Sequence, residues 1–185
     1  MKSLSLNQPH AIVMVGIPGS GKSFFAEKFA ETFSAPYISY DTFRPFVSDQ
    51  KQLAKLIAHQ LRELLKTNHS LIIEGFAYSR AERTELAKLF KHHGYATLFV
   101  WVQTDPSTAH TRVRKQAKIS DEDHVKLTKR FSPPHSSENP VVISGKHTYA
   151  TQAKSVLKRL SAPRAEISSH SAPPMRSFVD VKRAR

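Results

Sequence analysis

Eight consecutive residues, Gly16, Ile17, Pro18, Gly19, Ser20, Gly21, Lys22 and Ser23, fill every fixed position of the pattern G-x-x-x-x-G-K-[ST]. At ordinary residue abundances, chance produces roughly one such match per 150 chains of this length. The chemistry of the pattern is anion binding. Glycines let the backbone curl so that successive N–H groups face one anion. A helix opening directly behind them adds its positive N-terminal end. Lys22 supplies an ammonium for β- and γ-phosphates, and the Ser23 hydroxyl is a ligand for Mg²⁺. The set describes a seat for a nucleoside triphosphate and leaves open what is done with it.

Three further groups bear on that question. In Tyr37-Ile-Ser-Tyr-Asp-Thr-Phe-Arg44, Asp41 and Arg44 lie just beyond a short apolar run. A carboxylate at the end of a parallel strand can accept the proton of a hydroxyl attacking a γ-phosphate. An arginine three residues on can hold an acceptor phosphate or the transferring charge. Asp-x-x-Arg also reads as a helix cap and a surface charge, and it is the complete phosphate loop upstream that favours chemistry. Glu74 ends the apolar run Leu71-Ile-Ile73, the layout in which a Walker-B carboxylate holds Mg²⁺ directly or through water. It reads equally as an acid closing a strand. Arg112, Arg114, Lys115 and Lys118 fall within seven residues. Such cations can close over a triphosphate and neutralise charge, or simply form a solvated helix face.

These groups need elements to position them. Ala11–Val15, Tyr37–Ser39, Leu71–Ile73, Ala96–Val102 and Val141–Ile143 are short apolar runs without alternation, as expected of strands buried on both faces. Between them lie helical patterns. Phe25, Phe29 and Phe33 recur at i, i+4 and i+8 within Ser23–Phe33. Leu53, Leu56, Ile57, Leu61, Leu64 and Leu65 form a longer stripe. Further helices are expected over Ala81–Phe90, from near Ser107 behind an Asp105-Pro106 cap, and over Thr148–Leu160. Strands alternating with helices of this length specify an α/β fold with a mainly parallel sheet.

Composition sets the boundaries. The chain has 185 residues, with 28 Lys and Arg against 15 Asp and Glu, a formal net charge of +13. That length suits one domain, expected over residues 1–160. The absence of Cys excludes disulfides, thiolate zinc sites, iron–sulfur clusters and a thiol nucleophile. No apolar run approaches the roughly 18 residues of a membrane span, and Met1–His10 lacks a signal-peptide layout, so the expected location is the cytoplasm. Residues 161–185 hold five positive and two negative side chains with few large apolar residues, and read as a flexible basic tail. The positive field points to polyanions, and the basic cluster at 112–118 and the basic tail offer a surface for nucleic acid.

The segments Gly16–Ser23, Tyr40–Arg44, Leu71–Gly75 and Val100–Arg112 together resemble small P-loop kinases related to polynucleotide 5′-hydroxyl kinases and zeta-toxin-type kinases. The resemblance spans about residues 11–160. It implies a parallel five-stranded sheet flanked by helices on both faces, with a helical lid at about 110–130. It implies ATP and Mg²⁺ at Lys22 and Ser23, Asp41 as general base, Arg44 on the acceptor and Arg112 as a lid arginine. Relatives often carry a second lid arginine four residues further on. Here that position is Gln116, with Arg114 or Lys115 as candidate replacements. Many relatives have Asp where this chain has Glu74, and a polar acceptor loop where it has Gly75-Phe-Ala-Tyr78. Phe131-Ser-Pro-Pro134 with Glu138 resembles a structural segment after the lid. The expected activity is transfer of the γ-phosphate of ATP to a hydroxyl of an anionic or nucleotide-like acceptor, either a small molecule or a 5′-hydroxyl nucleic-acid end. The competing readings are an NTP-binding ATPase or switch without a phosphorylated product, and a basic nucleic-acid-binding protein.

Overall fold

The computed structural model describes residues 6–116 and 119–161. Lys118 and all but the first residue of the expected tail lie outside them. Five strands form one sheet: β1 (His10–Val15), β2 (Tyr37–Ser39), β3 (Leu71–Glu74), β4 (Ala96–Gln103) and β5 (Val141–Ser144). Their spatial order is β2-β3-β1-β4-β5, and every neighbouring pair is parallel. Each crossover is helical. The helices are α1 (Lys22–Phe33), α2 (Tyr40–Phe43), α3 (Gln50–Leu65), α4 (Arg80–His92), α5 (Pro106–Gln116), α6 (Asp121–Arg130) and α7 (Tyr149–Leu160).

The apolar runs are unbroken because the sheet is covered twice, and the period-2 alternation of strand side chains divides them between two cores. Ala11, Val13 and Val15 join Leu71 and Ile73 against Leu53, Ile57, Leu61 and Leu65 of α3 and Phe90 of α4. Ile12, Met14 and Ile72 face the other way, onto Phe25 and Phe29 of α1 and Val156 and Leu160 of α7. The Phe25 and Phe29 rings lie 5.3 Å apart and are fully buried. Burying a side chain of this size contributes about 1.5–3 kcal/mol.

All five expected strands are present, each within one residue of its expected bounds. Two elements refine the expected layout. The chain turns directly from β2 into α2, followed by a 3₁₀ turn at Arg44–Phe46. The lid region splits at the α5–α6 junction. There the Ser120 hydroxyl accepts the Asp123 N–H at 3.0 Å, Asp121, Glu122 and Asp123 occupy the first turn of α6, and Lys129 and Arg130 the last. That charge order complements the helix dipole at both ends. Among the described residues no helix is long and apolar enough to cross a membrane.

Parallel strands end on the same side. The loops after β1, β2, β3, β4 and β5 therefore meet at one edge of the sheet, with β1 at its centre.

Candidate active site

The loop between β1 and α1 carries Gly16 to Ser23 at that edge. Its tight path depends on close backbone approaches. Gly19 has φ +80°, and a Cβ there would stand 2.2 Å from the Ala109 carbonyl oxygen of α5. At Gly145, just past β5, a Cβ would stand 2.1 Å from both the Ser20 carbonyl oxygen and Thr104 Oγ1. The loop is thus packed from behind by α5 and by the turns after β4 and β5. Thr104 Oγ1 donates to the Ser20 carbonyl at 2.9 Å. Arg112 reaches from α5 to the same carbonyl at 3.5 Å and to the Gly145 carbonyl at 3.1 Å.

Lys22 is the first residue of α1, with Nζ donating to the Ile17 carbonyl at 2.9 Å inside the loop. It is 7% exposed. Burial draws its pKa down, and the nearby carboxylates of Glu74 and Asp41 oppose that shift. Ser23 Oγ donates to Glu74 Oε1 at 3.0 Å, and Tyr37 donates to Glu74 Oε2 at 2.6 Å. The Tyr37 phenol is pushed well up by its burial and by the adjacent Glu74 charge.

Ser23 and Glu74 offer hard oxygen donors beside the phosphate loop, which is the donor chemistry Mg²⁺ takes. No group of three or more His, Cys, Asp or Glu ligands exists among the described residues. The donor set suits a cation that keeps waters and takes phosphate oxygens, as Mg²⁺ does.

One continuous cleft of about 1780 Å³ runs along the edge of the sheet. Gly19, Gly21, Lys22, Ser23, Glu74 and Arg112 line it, and so do Asp41 and Arg44 from the loop side of the edge strand β2. Asp41 is exposed in α2, and Arg44 follows as its C-cap. The spacing of three residues puts both on the cleft because a helical turn begins at Tyr40. Gly16, Ile17 and Ser20 form the loop but lie behind the cleft surface, while Pro18 reaches it.

The basic cluster divides. Arg112 and Gln116 face the cleft, but Arg114 and Lys115 do not. Arg114 is exposed, with Nε 3.9 Å from Asp121 Oδ2. Among the described residues of 110–130, the other cations that reach the cleft come from α6, as Lys126 and Arg130. On a helix, Arg112 and Gln116 share a face, whereas Arg114 and Lys115 point elsewhere.

Sequence reasoning missed Arg83. It is fully buried in α4, with Nε donating to Glu138 Oε1 at 2.6 Å and Nη2 to Glu138 Oε2 at 3.0 Å. Nη1 donates to the Ala77 carbonyl at 3.3 Å and the Ser132 carbonyl at 2.9 Å. The signal was its position: Arg83, Leu86 and Phe90 fall at i, i+3 and i+7, so a charge occupies a core-facing site. This latch, with the Ser132 N–H donating to the Tyr78 carbonyl at 2.8 Å, ties the loop after β3 to the Phe131–Pro134 segment. That segment therefore has a structural role.

A parallel sheet ordered β2-β3-β1-β4-β5, with a phosphate loop leaving its central strand and helices on both faces, defines a P-loop kinase-like α/β protein. The AAA domain family matches residues 12–134, and the chain belongs to that family. Solved structures share the fold. The APS kinase CysC of Mycobacterium tuberculosis, in complex with AMPPNP and APS, is 17% identical with a TM-score of 0.65, covering 84% of this chain and 99% of that one. Kti12 of Chaetomium thermophilum, in complex with ADP-AlF3, is 15% identical with a TM-score of 0.67, covering 80% and 96%. A chain of the Pnkp1/Rnl/Hen1 RNA repair complex is 20% identical with a TM-score of 0.60, covering 69% and 45%. No curated protein matches the sequence.

Proposed function

We propose that this protein is an ATP-dependent phosphotransferase that moves the γ-phosphoryl group of ATP to a hydroxyl of an acceptor held beside Asp41. The observation that carries this reading is the sharing of one cleft by two sets of groups. Lys22, Ser23, Glu74 and Arg112 lie at the phosphate loop, and Asp41 and Arg44 line the same cleft from beyond β2, two strands away from β1.

The loop N–H groups and Lys22 bind the triphosphate. Arg112, braced on the Ser20 and Gly145 carbonyls, keeps a guanidinium against the rim of the loop. Asp41 accepts the hydroxyl proton as that oxygen bonds to the γ-phosphorus and the bond to ADP breaks. Arg44 balances charge on the phosphoryl group in flight. Ser23 and Glu74 would hold Mg²⁺, which would supply charge neutralisation on the phosphates.

Transfer from γ-labelled ATP to a panel of hydroxyl compounds tests the reading. Asp41→Asn should lower transfer about 100-fold or more while ATP binding persists, the range lost with a general base. Unchanged transfer in that variant would remove Asp41 from the mechanism. ATP turnover that no hydroxyl compound stimulates would instead favour an NTPase or switch.

A further inference from the structure

We infer that the acceptor is a neutral alcohol with an aromatic or apolar body, such as a nucleoside or a benzylic alcohol, rather than a phosphorylated or polyanionic one. This rests on the kinase reading above and narrows it.

The chain carries +13, but the cleft does not share that excess. Five Lys or Arg and six Asp or Glu line it. On the Asp41 side most of the charges are already paired. Arg83, beneath that wall, is consumed by Glu138, and Arg130 is paired with Glu82. Lys126 is paired with Glu122 at 2.8 Å. Of the cations on this side, Arg44 is the one without an ion pair among the described residues, and Asp41 stands three residues from it. Glu82 and Glu85 are likewise paired, with Arg130 and Lys88, so a phosphate entering here would meet the Asp41 carboxylate with Arg44 as the one unpaired cation to receive it. Recognition of phosphate calls for several charge-assisted donors.

The same wall is apolar. Tyr40, Val47, Phe76, Tyr78, Leu86 and Leu89 line the cleft, and all six are only half-buried. Tyr40 and Phe76 meet edge to face at 5.9 Å and 77°. The Arg130 guanidinium lies 5.9 Å from the Tyr78 ring centre. A slot of aromatic edges and aliphatic side chains, sharing its cleft with the Asp41 carboxylate, suits a flat apolar body bearing one hydroxyl.

The test compares kcat/KM for thymidine, uridine and 4-nitrobenzyl alcohol with that for thymidine 3′-monophosphate and a 5′-hydroxyl oligothymidylate, using the full chain. The neutral alcohols should be favoured at least 10-fold. Phe76→Ala should raise their KM about 10-fold and leave the KM for ATP unchanged. Val47→Arg, at a half-buried site, should shift preference toward the phosphorylated acceptors, and thermal melts of both variants report that they fold. A 10-fold preference of the parent protein for the anionic acceptors overturns the inference and leaves the kinase reading standing. Transfer to none of them, with ATP still bound, sinks the kinase reading. Equilibrium dialysis of the same neutral alcohols then decides the slot: binding weakened by Phe76→Ala supports it, and no binding overturns it.

Discussion

Arg83 and Glu138 form a two-point ion pair, Nε to Oε1 at 2.6 Å and Nη2 to Oε2 at 3.0 Å, with the arginine side chain fully buried. They join α4 to the segment that follows the lid, 55 residues away in sequence. Removing one partner leaves a buried charge unpaired, which costs about 3–5 kcal/mol. Arg83→Met should lower stability by that amount in urea unfolding. The double variant Arg83→Met with Glu138→Leu should lose less than Arg83→Met does, because no charge is stranded.

Acid should loosen the same latch. Burial by itself would raise the Glu138 pKa, but the Arg83 hydrogen bond and the His135 N–H more than offset it, so the carboxyl titrates below its usual 4.5. The unfolded chain takes up the proton first as pH falls, so the stabilisation is present above about 4.5 and is lost as pH falls through the depressed native value. Unfolding free energy measured from pH 6 to pH 3 should fall less steeply in Glu138→Gln than in the parent protein.

Glu74 sits where both of its oxygens are engaged, by Ser23 and by Tyr37. Glu74→Gln keeps the shape and removes the charge. The Mg²⁺ concentration for half-maximal activity should rise about 10- to 100-fold, the usual cost of losing a group that orients or holds the metal. An unchanged Mg²⁺ dependence would show that Glu74 only closes the strand.

Arg112 and Arg114 are two residues apart and should behave differently. Arg112 is bonded to the phosphate loop and to Gly145, whereas Arg114 is exposed beside Asp121. A charged hydrogen bond is worth about 1.5–3 kcal/mol. Arg112→Ala should therefore raise the KM for ATP about 10-fold or more, with Arg114→Ala changing it less than about 2-fold, as is ordinary for an exposed pair. Steady-state kinetics on the two variants separates them.

Two histidines meet where α5 packs on α6. His110 of α5 and His124 of α6 stack with ring centres 4.9 Å apart, and His110 is 3.1 Å from Asp121. Burial holds the His124 pKa below 6.5, and the neighbouring His110 lowers it further. The unfolded chain protonates first as pH falls through 6.5, so the contribution of the neutral His124 is present above that value and lost below it. Intrinsic-rate-corrected amide exchange in residues 106–116 should be faster at pH 5 than at pH 7.5. His124→Phe should flatten that dependence.

The chemistry at the phosphate loop was legible in the sequence because its residues are contiguous. Gly16 to Ser23 act through a local backbone path and one helix terminus, and a linear pattern records both. The strands were legible for a related reason, since a sheet buried on both faces leaves unbroken apolar runs such as Ala11–Val15. The lid was less so. Seven basic residues within 110–130 suggested a cationic cover, but which of them face the cleft depends on the break at Ser120 and on helical phase. Arg112 does and Arg114 does not.

The sequence by itself determined the fold class, the phosphate seat and the positions at which an acid and an arginine follow β2. Each of these is set by neighbours in the chain. Only the tertiary structure decided that Glu74 joins Ser23 across 51 positions, that Arg83 spends its charge on Glu138, and that aromatic and aliphatic side chains line the Asp41 side of the cleft within a protein of charge +13. Pairing of charges and exposure of a side chain depend on distance in space. A parallel α/β sheet brings together loops that the sequence spreads over more than a hundred residues.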